Sequence, residues 1–240
     1  MQYRAVTMDT SNTGRVREAV RNNAEWCAAL CRAHGIAGES GPYAWTSPRR
    51  TPLYYPDAVT LAPEASPRDI VGRIDLAAPG ASVKDGFASL DLTGDGFEVL
   101  FDAQWIHRPA PRATGGGWQL VSTEGELTEW ERAWSDGDSE ALFPPALLAE
   151  SAHTFLAERD EGGKVVAGAV ASRSGQVVGI SNLYAVDGDQ DAAWSGCLDT
   201  VARAWPGLSV VGYESGDDLA AALRAGFTAT GPLRVWLHRG

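Results

Sequence analysis

Residues 177–198 read VVGISNLYAVDGDQDAAWSGCL, and the reading of this stretch decides the fold. Its first half, Val177 to Val186, is rich in β-branched residues and predicts a strand. A short polar turn follows, and a helix is expected over about residues 191–204. A strand that passes straight into a helix presents unpaired backbone N–H groups at the positive end of the helix dipole. That is a natural cradle for an anion. Small residues, Ala193 and Ser195, stand where the cradle would form.

Upstream of this unit, Trp118 to Ser122 predict a strand. Thr123 then caps a helix running through Trp134, with Glu126 three residues on as a capping box requires. A turn at Pro144-Pro145 leads to a short helix over 145–150, then strands His153 to Glu158 and Lys164 to Ser172. Hairpin-like turns lie at Glu161-Gly162-Gly163 and Ser174-Gly175. Downstream come a strand from Leu208 to Tyr213, a helix over 216–225 and a strand from Phe227 to Leu237. The order is strand, two helices, three antiparallel strands, helix, strand, helix, strand, which is a mixed α/β (α+β) lobe.

The other half reads differently. Residues 11–34 form a helix capped by Ser11 or Asn12 and ended by Gly35, with Val16, Ala19, Val20, Ala24, Cys27, Leu30 and Cys31 at helical spacing. Residues 36–56 predict an ordered loop, Ala58 to Ala62 a strand, and Ser66-Pro67 the start of a helix to Ile74. Gly86 to Leu92 and Phe97 to Ile106 predict two strands joined as a hairpin through Thr93-Gly94-Asp95-Gly96. The stretch RPAPRATGGG, 108–117, has the composition of a linker. The expected organisation is an N-terminal α/β lobe over 1–107, the linker over 108–117 and a second lobe over 118–240. The aromatic loop of Tyr43, Trp45, Tyr54 and Tyr55 either walls a substrate cleft or packs as a screened loop.

Composition narrows the function. With 240 residues, 44% of them hydrophobic, and nine tryptophans, the chain has ample material for a core. A net charge of −11 repels phosphate backbones and argues against nucleic acid, with Arg49-Arg50 the one basic pair to consider. Neither the opening MQYRAVTMDT nor any apolar run suits a leader or a membrane span, so a cytoplasmic protein is expected. No metal is expected: Cys27 and Cys31 lack a complementary ligand pair, and His34, His107, His153 and His238 lack HExxH spacing. Asp187, Asp189 and Asp191 begin like a calcium loop, but Ala192 and Leu198 stand where glycine and glutamate are needed. No G-x-S-x-G motif points to a serine hydrolase.

Two local patterns sharpen the picture. Leu183-Tyr184-Ala185 followed by Gln190, Ala193, Ser195 and Leu198 resembles the GNAT N-acetyltransferase segment in which a strand end leads into an R/Q-x-x-G-x-G/A loop. Arg224-Ala225-Gly226-Phe227 is similar to that family's closing element of helix, Gly-Phe and strand. The resemblance covers 118–240. It implies a mixed, mostly antiparallel sheet flanked by helices. The helix, strand, helix, hairpin order of the N-terminal lobe admits one further reading, a degenerate second copy of this lobe, although no residue-level repeat accompanies it. The resemblance also implies acetyl-CoA or another acyl-CoA as co-substrate and a small-molecule amine as acceptor. The backbone of Leu183, Tyr184 and Ala185 would then hold the pantetheine arm, and Gln190, Ala193, Trp194 and Ser195 the diphosphate. Ala222 stands where the family often has a tyrosine acid. That moves attention to Glu214 as base through a water, Tyr213 as acid, and Asn182 as a hydrogen-bonding group for the acceptor. The three aspartates beside the expected diphosphate leave two further readings. One is a donor held on a carrier protein; the other is a GNAT-fold binding or regulatory module without CoA.

Overall fold

A computed structural model describes residues 10–137 and 141–240; the opening nine residues, read above for a leader, lie outside it. Helix α1 spans Thr10–Ala33, and short strands β1 (Glu39–Ser40), β2 (Ala44–Thr46) and β3 (Ala58–Thr60) follow. Strand β4 is Ser82–Asp85 and β5 is Phe97–Arg108. After residues 109–118 come β6 (Gln119–Leu120) and α2 (Glu124–Trp134). Three long strands, β7 (His153–Arg159), β8 (Val165–Ser174) and β9 (Val177–Ala185), lead into α3 (Gln190–Ala204). The chain closes with β10 (Ser209–Glu214), α4 (Gly216–Arg224) and β11 (Thr228–His238).

The strands form one sheet in the order β1-β2-β3-β4-β11-β5-β10-β9-β8-β7-β6. Only the β3–β4 and β9–β10 pairs are parallel; the others are antiparallel. The arrangement is the mixed, mostly antiparallel sheet expected, and it is nearly symmetric about its centre. In each half a meander is followed by a parallel neighbour, and the half's last strand crosses to the other half. Thus β5 lies beside β10, β11 lies beside β4, and β5 and β11 pair with each other in the middle. The two lobes expected on either side of 108–117 therefore share one sheet.

Helices α1 and α2 cover one face, and α3 and α4 the other. Side chains alternate accordingly along β10: Val210 packs with Ala193, Leu198 and Ala222, and Val211 with Val16 and Val20 of α1. Trp26, Trp105, Trp130 and Trp194 are fully buried, each contributing about 1.5–3 kcal/mol or more of burial free energy.

Four local expectations are corrected. Gly86 to Leu92 is not a strand. The Asp85 carboxylate accepts hydrogen bonds from the backbone N–H groups of Phe87 and Leu90, and Ala88 takes a left-handed φ of 49°. These seven residues wrap around one buried acid, which overrides their alternation. Consequently Thr93–Gly96 is not a hairpin turn: β4 pairs with β11, which lies between β4 and β5. Finally, the segment from Pro67 forms two short 3-10 turns, 67–69 and 71–73, and the loop 36–56 contains β1 and β2.

Candidate functional site

Strands β9 and β10 pair over only three positions, Ser209 with Val177, Val210 with Val178 and Val211 with Gly179. Beyond these they part, so both strands carry a stretch without its parallel neighbour. A bulge in β9 lies at the parting. Opposite β8 the register jumps from Ser181–Val170 to Tyr184–Gly168, and Asn182 holds a left-handed φ of 53°. Asparagine is among the few residues that take this conformation readily. A bulge leaves its extra residue out of the ladder and turns later side chains to the opposite face. Leu183 and Ala185 accordingly pack on the α3 side, whereas the Tyr184 ring meets Trp130 on the α2 side and its hydroxyl donates to the Trp130 carbonyl at 3.1 Å. Gly168 leaves the room that Trp130 and Tyr184 occupy.

Tyr213 and Glu214 lie past the last residue of β10 that pairs with β9, in the parted stretch, where β5 is their one strand neighbour. Adjacent on a strand, they serve opposite faces. Tyr213 packs on the α1 side, edge-on to Trp105 at 5.5 Å. Glu214 lies toward α4; burial, reinforced by the like charge of Asp218, raises its carboxyl to about 8. The parted stretch of β10 thus carries a tyrosine on one face of the sheet and a proton-holding carboxyl on the other. Ala222, where a tyrosine acid was sought, is fully buried in the core.

Sequence reasoning missed Lys84 of β4. It is 5% exposed, its Nζ donates to Asn23 Oδ1 of α1 at 2.8 Å, and the same Nζ lies 3.3 Å from Tyr213 Oη and 4.5 Å from the ring centre. One signal was available. Of the 20 basic residues only two are lysines, Lys84 and Lys164, so a lysine retained inside a strand was worth notice.

The start of α3 is occupied by the protein's own acids. Asp189 caps the helix, its carboxylate accepting from Ala192 N–H at 2.9 Å, and Asp187 accepts from Asp189 N–H at 3.0 Å. Asp191 is held by the guanidinium of Arg224 at 2.9 Å. Gln190 is half-buried and Ser195 exposed, whereas Ala193 and Trp194 are buried, the indole against Phe227 at 4.7 Å. The Trp194 side chain therefore backs the turn from inside the core. Beside Ser195 runs a groove of about 470 Å³ lined by Arg108, Arg112 and Arg224 together with the carboxylates of Asp191 and Asp199. Residues 108–117 are folded against α3: Asp199 accepts from Gly115 N–H at 3.1 Å and also from Thr114, and Arg203 donates to Gly115.

A second cleft, about 880 Å³, lies between residues 50–54 and the end of α2. Tyr54 stands at its wall with a left-handed φ of 69°, edge-on to Trp134 at 6.0 Å. Of the aromatic loop, Tyr54 thus walls a cleft, Trp45 and Tyr55 are core, and Tyr43 is exposed. No group of metal-ligating side chains occurs among the described residues, and no described helix is long and apolar enough to cross a membrane.

No protein-family model matches the sequence, and no curated protein matches it. Solved structures do match the fold. A GCN5-related N-acetyltransferase from Kribbella flavida superposes with a TM-score of 0.59 at 14% identity, over 92% of this chain and 96% of that one. A GNAT-family protein from Novosphingobium aromaticivorans gives 0.55 at 14% identity, over 90% and 96%. A functionally unknown conserved protein from Staphylococcus epidermidis gives 0.52 at 12% identity, over 68% and 74%. The first two likenesses take in both halves of the chain.

Proposed function

We propose that this chain, which has the fold of the GNAT acetyltransferases, is an N-acyltransferase moving an acyl group from acetyl-CoA or another acyl-CoA to an amine of a small molecule. The observation that carries the reading is the parting of β9 and β10 at the Asn182 bulge, with Tyr213 and Glu214 in the opened stretch. In this reading the backbone of Leu183 to Ala185 holds the pantetheine arm. The amine attacks the thioester carbonyl carbon, the new C–N bond forms, and the C–S bond breaks without a covalent enzyme intermediate. Glu214 takes the ammonium proton through a water, the departing thiolate takes its proton from Tyr213, and the second proton lost by the new amide nitrogen restores the Tyr213 hydroxyl. Asn182 hydrogen-bonds the acceptor.

The diphosphate lies beside Gln190, Ala193 and Ser195, with Trp194 supporting the turn from behind. Because Asp189 already fills the helix start, the positive charge comes from Arg108 and Arg112 in the adjoining groove. Isothermal titration with acetyl-CoA and free CoA at moderate salt tests this, with micromolar binding expected. The double variant Asp189→Asn, Asp191→Asn removes two charges and should tighten binding. No binding up to millimolar ligand would exclude these donors and leave either an acyl group held on a carrier protein or a binding module without CoA.

A further inference from the structure

We infer that Lys84, from the N-terminal half, is a positioning residue for the acyl-transfer step, committing the Tyr213 hydroxyl to give its own proton away from the lysine. The inference rests on the acyl-transfer reading and adds a residue to it. An ammonium has three donors and no acceptor, so across the 3.3 Å contact Nζ donates and Tyr213 Oη accepts. The phenol hydrogen must then point elsewhere, and among the described residues no protein acceptor takes it. Tyr213 lies in the parted stretch of β10, and in the acyl-transfer reading that hydrogen goes to the departing thiolate.

The rest of the lysine's surroundings fit this role. Its second partner, Asn23 Oδ1, is neutral, and no carboxylate pairs with it among the described residues. A buried carboxylate there would compete for the ammonium and neutralise it. Left with two neutral oxygens, the ammonium stands beside the atom that turns negative when Tyr213 releases its proton, which is electrostatic support aimed at developing charge. The strand order places β11 and β5 between β4 and β10, so Lys84 reaches over the centre of the sheet, beneath α1, to make this contact. Lysine serves as a single compact donor where the planar fork of arginine would demand several acceptors. In a chain with 18 arginines among its 20 basic residues, this position is one of two that are lysine.

Two lysines make the test direct. Protein labelled with 15N-lysine gives two side-chain ammonium signals, which Lys164→Arg assigns. We expect the Lys84 signal to be protected from exchange and to move in Tyr213→Phe. In acyl transfer from acetyl-CoA to a panel of small amines, followed by thiol release, Lys84→Met should lower kcat by about tenfold, a fraction of what a general acid supplies. KM for acetyl-CoA should be unchanged. The double variant Lys84→Met, Tyr213→Phe should be no slower than Tyr213→Phe alone. A Lys84 signal indifferent to Tyr213→Phe, or losses that multiply in the double variant, would overturn the inference. Tyr213→Phe keeps the signal test available even where Lys84→Met does not fold. Absence of transfer by the wild-type protein overturns the function itself, while the ammonium signal still reports whether the pairing exists, so the two failures are told apart.

Discussion

Glu214 and Asn182 make the clearest residue-level predictions. Glu214 keeps its proton to about pH 8, against an ordinary value of 4.5. As a base it works only once ionised, so the rate of transfer should rise with pH and level off above about 8; Glu214→Gln should abolish that limb. A rate that falls above 8 would instead make Glu214 the proton donor. Stability carries the same signature with a definite sign. Between 4.5 and about 8 the folded protein holds a proton that the unfolded chain has released, so stability falls as pH rises through that window. Thermal melts of Glu214→Gln should match wild type near the acid end and exceed it at the alkaline end. At Asn182, the left-handed φ penalises a β-branched residue by roughly 1–2 kcal/mol, whereas glycine adopts it freely. Urea denaturation should show Asn182→Val destabilised by that amount and Asn182→Gly near wild type, with acyl-CoA binding lost only in the valine variant.

At the scale of elements, the start of α3 serves the helix before it serves any ligand. Replacing Asp189 with Ala removes the side chain that caps Ala192 N–H and should cost about 1 kcal/mol, read as a lower melting temperature. The Asn variant retains a capping oxygen and should not. The elements of the second half were largely legible because each is long and carries its own signals, such as the Thr123–Glu126 capping box that the structure reproduces. The failures share a cause. Ser82–Asp85 is a strand although its pattern is polar, because β3 and β11 flank it; Gly86–Leu92 alternates like a strand but is bent around Asp85. Both depend on partners distant in sequence or on one buried acid. The candidate site was half legible for the same reason. Tyr213 and Glu214 were visible at a strand end, but the lysine that meets Tyr213 lies 129 positions away.

For the molecule as a whole, the exchange of end strands is decisive. Residues 118–240 made alone would lack β5 between β10 and β11, opening the sheet at its most central pair. We expect this fragment to show no cooperative thermal unfolding by circular dichroism, and co-expression with residues 1–117 to restore it. A single transition in the isolated fragment would show that the C-terminal half stands without its borrowed strand. The same exchange governs how the chain is born. Strand β5 ends at Arg108, but its two neighbours begin at Ser209 and Thr228. A ribosome adding about 5–20 residues per second needs several seconds or more to supply them. Throughout that interval a twelve-residue strand waits with both edges bare. Its yield in a cell should therefore follow the speed of translation and the supply of chaperones, even at temperatures where the finished protein is secure.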